Sequence, residues 1–155
     1  LPYRTVGGAL DAPVNVLLVT SRETRRWVLP KGNLVAGLSD HASAAHEAEE
    51  EAGVLGAACP TPIGTYRYRK KRRNGASLMV DVAVFPIAVT NELDEWKEQD
   101  WRERRWFSLS AAADAVDEPD LKILIRNFRA SDIEREMQSG FSLGNAWKKE
   151  KGFRM

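Results

Sequence analysis

The chain is poor in cysteine: Cys59 is the single one in 155 residues. A lone thiol excludes an internal disulfide and any metal site built from several cysteines. Long apolar runs are missing too. The most hydrophobic stretches, 14–19 and 80–89, have the length of strands and fall well short of the ~20 residues a membrane helix needs, so no membrane association is expected. Charge of one sign is not in excess, with 23 Lys and Arg against 22 Asp and Glu and a net charge of +1. That excludes a protein that coats nucleic acid through its overall charge. No signal-peptide pattern, internal repeat or low-complexity linker is seen, and the expected compartment is cytoplasmic. What remains, 43% hydrophobic and 29% charged residues, is the balance of one soluble globular domain.

The charge is segregated along the chain. Residues 66–73 read Tyr-Arg-Tyr-Arg-Lys-Lys-Arg-Arg, residues 47–51 read Glu-Ala-Glu-Glu-Glu, and acids recur from Glu92 to Glu103. Such a chain can hold a cation in one place and an anion beside it. The local patterns predict strands over 14–20 and 25–29 joined as a hairpin, then a loop through Pro30 and Gly32 to Gly37. Ser39 or Asp40 as N-cap and Gly53 at the C-terminus predict a helix over 40–52. Strands are expected over 63–69 and 77–89 around an Asn74-Gly75 turn, with a short strand over 104–108. A short helix capped by Ser110 is expected over 111–116. A second, amphipathic helix over 120–129 sets Leu121, Leu124, Ile125 and Phe128 on one face. Strands and helices in this order predict an α/β or α+β sandwich around a mixed sheet.

On the 40–52 helix, Glu47, Glu50 and Glu51 fall within about 100° of one another, while Ala44, Ala45, Ala48 and Ala52 form a small-residue face able to approach a sheet closely. Like charges at i, i+3 and i+4 cost a few tenths of a kcal/mol per pair. They also stand near the negative end of the helix dipole, with no Lys or Arg interleaved. A divalent cation would remove that repulsion, and hard oxygen ligands suit Mg²⁺ or Mn²⁺. A solvated acidic face is the other reading of the same spacing.

The segment 32–54 resembles the Nudix box, Gly-x5-Glu-x7-Arg-Glu-U-x-Glu-Glu-x-Gly-U with U a bulky aliphatic residue. Gly32, Glu47, Glu50, Glu51, Gly53 and Val54 fall in register, with Ala48 at the first U. The approach Trp27-Val28-Leu29-Pro30-Lys31, and later Glu95-Trp96 and Arg105-Trp106, resemble the subgroup acting on diphosphoinositol and dinucleoside polyphosphates. The resemblance implies a Nudix hydrolase domain over 1–130, an α-β-α sandwich whose box helix carries the metal site, followed by a helical or extended tail over 131–155. It implies metal-dependent hydrolysis of a pyrophosphate bond in a nucleoside diphosphate derivative, most simply a dinucleoside polyphosphate or a diphosphoinositol polyphosphate. The 5′ end of RNA and a non-catalytic sensor of a phosphorylated metabolite are the alternatives.

The resemblance also assigns roles. Gly32, through its carbonyl, with Glu47, Glu50 and Glu51 would ligate Mg²⁺ or Mn²⁺. The catalytic set is Glu47, Glu50 and Glu51, with Glu98 as a candidate base, Glu95 being a further acid of the same loop. Apart from the resemblance, charge and position suggest that Lys31 and one alternating half of the basic strand, Arg67, Arg69 and Lys71, contact substrate phosphates; a surface lysine after a turn proline and a solvated hairpin tip are the other readings.

Two residues depart from the box. Leu38 stands where the family has its first Glu, and His46 where it has the Arg that orients the glutamates. His46 lies one turn before Glu50, either as a brace weaker than a guanidinium fork or as filling on the helix flank. Trp27, Trp96, Trp101, Trp106 and Trp147, with Tyr66 and Tyr68, are either base-stacking residues or core. Trp147 and Phe153 in the tail leave monomer and homodimer both open.

Overall fold

The structure, a computed structural model, describes residues 1–7 and 12–139; the tail residues Trp147 and Phe153 lie outside them. Strand β2 (Val14–Thr20) organises the molecule. Its core stretch Val16–Val19 is apolar and wholly buried, as in a strand covered on both faces. Alternation then splits it: Leu17 and Val19 join one apolar cluster, Val16 and Leu18 the other.

One edge of β2 pairs antiparallel with β1 (Pro2–Thr5) and β3 (Trp27–Val28), the other with β8 (Arg104–Ser108). Beyond β1 the sheet continues through β7 (Ile87–Glu92), parallel to β1, to β4 (Val54–Ala58), antiparallel to β7. A separate antiparallel ribbon joins β5 (Gly64–Lys71) to β6 (Ser77–Val84). Helix α1 (Asp40–Ala52) covers one face of the mixed sheet, with Ala48 and Ala52 against Leu17, Val19, Val28, Val54 and Ile87. The other face is covered by α2 (Leu109–Ala115), α3 (Pro119–Arg126) and a fourth helix, α4, over 130–139. This is the expected α-β-α sandwich.

Several local expectations need correction. The long strand expected over 77–89 is two strands, β6 and β7, belonging to different sheets. Pro86, which has no N–H for a ladder, sits at the break, and its carbonyl is taken by the Cys59 N–H at 2.8 Å. The 25–29 strand shrinks to Trp27–Val28, because Arg25 takes a left-handed φ of 57° in the preceding turn. The cap of α2 is Ser108 rather than Ser110. Strands β1 and β4 carry no clear local signal; each is defined by pairing with β7. The amphipathic helix expected over 120–129 ends at Arg126; Leu121 and Ile125 are buried on it with Leu124 packed beside them, and Phe128, past its end, is buried in the same core. Ala130 and Ile133 of α4 are buried in the same core, so the packed region runs past residue 130. Among the described residues no helix is long and apolar enough to cross a membrane.

Candidate active site

Helix α1 is fixed at both ends. The Ser39 hydroxyl accepts from the Ala42 N–H, and Gly53, at φ 63°, closes the C-terminus with its N–H to the Glu49 carbonyl. With Ala48 and Ala52 pressed on the sheet, the acidic stripe turns toward two loops, 29–34 and 93–103. Its three carboxylates meet different surroundings there.

Glu51 is buried. One of its oxygens, Oε2, accepts from the Lys31 backbone N–H at 3.0 Å; the other, Oε1, accepts from Arg102 Nη2 at 3.1 Å. Burial pushes its carboxyl up to about 7, against the pull of Arg102 and of the Lys31 N–H. Glu50 is more exposed. Lys97 Nζ donates to it at 2.9 Å and His46 Nε2 lies 3.1 Å from the same oxygen; the Lys97 hydrogen bond above all holds it below the usual carboxylate range. Glu47 accepts no hydrogen bond among the described residues, and burial first, then the charge of Glu50, push its carboxyl up. Its carboxylate lies so close to Gly32 that a Cβ there would overlap it. A side chain at 32 would therefore displace the Glu47 carboxylate from this position.

The loop 93–103 braces the last turn of α1. Trp96 Nε1 donates to the Glu51 carbonyl at 3.1 Å, and the Glu98 N–H to the Glu50 carbonyl at 3.1 Å. Arg104, stacked 3.9 Å over the Trp96 ring, donates to the carbonyls of Ala52 and Gly53 at 2.9 and 3.1 Å. The helix has no basic residue in its own last turn, so Arg104 supplies the cation that its negative end favours. A Cβ on Gly53 would strike both Arg104 and Trp96.

A cleft of about 380 Å³ opens beside this turn, between α1 and the 30–34 loop on one side and the β5–β6 ribbon on the other. Glu47, Gly32, Lys31, Tyr66, Lys70 and Val82 are among its lining. A side recess of about 240 Å³ has Tyr68, Val80 and Val82 as its apolar part, with Lys31 and Lys70 at its rim. The Lys31 ammonium lies 4.0 Å over the Tyr68 ring.

Arg67, Arg69 and Lys71, expected beside the substrate, are not brought to the cleft. They pair across the ribbon with Asp81, Met79 and Ser77, on the strand face opposite Tyr66, Tyr68 and Lys70. The aromatic half of the alternation turns inward, and Lys70 is the one basic residue of β5 that reaches the cleft. Glu98 is buried beside the helix and accepts from Arg102 Nε at 3.3 Å. Leu38, in the position of the missing glutamate, is exposed in the loop before α1. Lys70 belongs to the basic run 66–73, whose other alternating half was expected at the substrate; for Lys97 and Arg102 the available signal is a cation embedded in the acidic stretch 92–103, and for Arg104 there is none. Of the four described tryptophans none lines the cleft: Trp96 braces α1, Trp27 meets Phe107 edge-on at 5.0 Å, Arg4 covers Trp106, and Trp101 is half-exposed.

A divalent cation fits the donor chemistry here. The neighbourhood offers carboxylate oxygen without thiol or free imidazole, and Glu47 accepts no hydrogen bond among the described residues, while burial first and then the charge of Glu50 oppose its ionisation. Among the described residues no three acidic, His or Cys side chains converge on a single point. Ions such as Mg²⁺, which keep several waters and bind through one or two carboxylates together with substrate phosphates, do not require such convergence.

The NUDIX domain profile matches residues 2–128. Among curated relatives, the chain is 34% identical over 116 residues to Nudix hydrolase 4 of Arabidopsis thaliana, covering 72% of this chain and 54% of that protein. It is 32% identical to the chloroplastic Nudix hydrolase 21 of the same plant, over 71% of this chain and 52% of that protein. The chain thus spans about half the length of these relatives. Among solved structures, the C. elegans Ap4A hydrolase binary complex superposes with a TM-score of 0.56 at 20% identity, over 81% of this chain and 88% of that one. This likeness is one of fold.

Proposed function

Since this chain belongs to the NUDIX domain family, we propose that it hydrolyses a pyrophosphate bond in a nucleoside diphosphate derivative with the help of a divalent cation, Mg²⁺ or Mn²⁺, and that the derivative is a dinucleoside polyphosphate. The observation that carries this is the acidic last turn of α1 set beside a cleft with lysines on its rim and an aromatic recess. Lys31 and Lys70 are its cations, enough for a short phosphate chain and few for an inositol ring bearing phosphates on most carbons. Tyr68, Val80 and Val82 give the recess an apolar lining suited to a nucleobase. The C. elegans neighbour is named for Ap4A hydrolysis, which agrees with this choice.

Glu47, Glu50, Glu51 and Gly32 would hold the cation. When bound, it neutralises phosphate charge and acidifies a coordinated water. The protein's own part is orientation and proton transfer. Lys31 and Lys70 fix the phosphates from opposite walls. The water oxygen forms a bond to one phosphorus as the bridging P–O bond breaks, and its proton passes to a carboxylate. Glu98 is our candidate base: its Oε1 is held by Arg102 Nε, leaving the second oxygen to accept. The reaction is placed in the cytoplasm as part of the same proposal.

The test is a substrate panel of diadenosine polyphosphates, diphosphoinositol polyphosphates and 5′-triphosphorylated RNA, with products resolved by mass and divalent metals varied. Metal-dependent cleavage of the dinucleotides, at least tenfold above the other two classes, is the expected result. Preference for either other class overturns the substrate assignment. Tight ligand binding without turnover under any divalent metal overturns the enzyme reading in favour of a sensor.

A further inference from the structure

We infer that Arg102 is the positioning residue of the carboxylate cluster, a guanidinium delivered from the 93–103 loop that holds Glu51 and Glu98 in one fixed arrangement. The inference rests on the functional reading above, because it gives those carboxylates a cation and a water to serve.

The geometry is that of a fork with every prong occupied. Nη2 donates to Glu51 Oε1 at 3.1 Å, Nε to Glu98 Oε1 at 3.3 Å, and Nη1 to the Thr20 carbonyl at 3.1 Å. The third contact is to the main chain at the end of β2, an element of the central sheet. Thr20 and Glu103 lock that junction further: the Thr20 N–H donates to the Glu103 carbonyl at 3.0 Å, and the Glu103 N–H to the Thr20 hydroxyl at 2.9 Å. The guanidinium is therefore tied to the sheet, and the two carboxylates are tied to it. All three side chains are nearly excluded from solvent, at 11% exposed for Arg102, 9% for Glu51 and 12% for Glu98. Solvent screening of these contacts is weak, and neither carboxylate can leave without stranding a buried charge.

Among the described residues no other side chain makes these contacts. His46, on α1 itself one turn before Glu50, lies against Glu50 and not Glu51, and its side chain is 42% exposed. Lys97 also meets Glu50 and is 63% exposed. Among the described residues, the Glu51 carboxylate otherwise accepts from the Lys31 backbone N–H, which carries no charge. A lysine at 102 would keep the charge but has a single ammonium, unable to reproduce three donors in fixed planar directions.

The readout is Mn²⁺ affinity of the substrate-free protein, measured by calorimetry, alongside kcat and KM for diadenosine polyphosphate. We expect Arg102→Met to weaken Mn²⁺ binding at least tenfold. kcat should fall at least a hundredfold while KM stays within threefold, since the substrate walls are untouched. Arg102→Lys should recover part of the affinity, leaving a deficit of about threefold, with a melting temperature near that of the parent. Should Arg102→Met fail to fold, the lysine variant decides alone: parental Mn²⁺ affinity and kcat in it overturn the positioning role, whereas a deficit in both with the fold intact upholds it. Unchanged affinity in a folded Arg102→Met also overturns it. A parent protein that binds no Mn²⁺ sinks the functional reading and this inference with it. A parent that binds Mn²⁺ normally while the Arg102 variants do too sinks the inference alone.

Discussion

The two walls of the cleft are built on opposite terms. The α1 wall is held from outside itself. Glu50, Glu51, Ala52 and Gly53 receive donors from Trp96, Lys97, Glu98, Arg102 and Arg104, all in one loop and its exit into β8. The ribbon wall is held mainly by its own ladder, from Gly64↔Val84 to Lys71↔Ser77, and its outer face is exposed. The ion pair there, Arg67 with Asp81 at 3.6 Å, joins side chains 71% and 69% exposed, and a pair so placed adds little. The contrast teaches where binding and chemistry separate: charge is concentrated and desolvated on one wall, while shape and a few cations are offered by the other.

The largest expected effect breaks the α1 wall. Glu50→Gln and Glu51→Gln each keep the side chain's shape and remove its charge. Each should lower kcat/KM by about three orders of magnitude, the scale on which lost electrostatic stabilisation of a charged transition state is felt. Steady-state kinetics at saturating Mn²⁺ checks this, and activity within tenfold of the parent in both variants would refute the site assignment.

That wall was half legible beforehand. The helix, its Ser39 cap, its Gly53 terminus and the shared face of Glu47, Glu50 and Glu51 are all set by residues within a few turns of one another, so local spacing suffices. The braces are not local: Trp96 meets Glu51 across 45 residues and Arg104 meets Ala52 across 52. Only the chain's path through β4 and β7 brings them together. Nothing in the sequence therefore says that Glu51 is buried while Glu50, its neighbour, is solvated. The ribbon shows the same divide. Alternation along 66–71 announces two faces but not which one meets the cleft. The aromatic content of one face was the available hint, since Tyr66 is 2% exposed and the arginines are not buried. β1 and β4 escaped for the same reason, being defined by the strand they pair with rather than by their own composition.

A pH measurement sharpens the comparison within the α1 wall. Burial raises the Glu51 carboxyl from 4.5 to about 7. Between those values the folded protein keeps a proton that the unfolded chain has lost. The stabilisation from this group is therefore complete below pH 4.5 and is lost as pH rises through about 7. The loss is on the order of 2–3 kcal/mol, and Glu47, raised in the same direction, adds to it. Denaturant unfolding of the metal-free protein should thus give lower stability at pH 8 than at pH 5. Glu51→Gln should remove most of that difference, and Mn²⁺ at pH 8 should restore stability to the parent by binding the folded state alone. Equal slopes in parent and variant would show that Glu51 is not the group being desolvated.

The smallest effects are expected on the ribbon, and they separate its faces. Lys70→Ala removes a cation from the cleft and should raise KM for a dinucleoside polyphosphate about tenfold, with kcat nearly unchanged, as loss of a contact made equally in ground and transition states does. The triple change of Arg67, Arg69 and Lys71 to Ala removes three charges from the other face, and with a short substrate KM should move less than twofold. With 5′-triphosphorylated RNA in the assay the two variants trade places if the longer anion lies along the outer face. The triple variant would then lose activity steeply, and the salt dependence of the parent's activity on RNA would flatten in it. Comparable losses for both variants on the dinucleotide would mean that the ribbon turns toward the substrate differently from the arrangement that places Tyr66, Tyr68 and Lys70 inward.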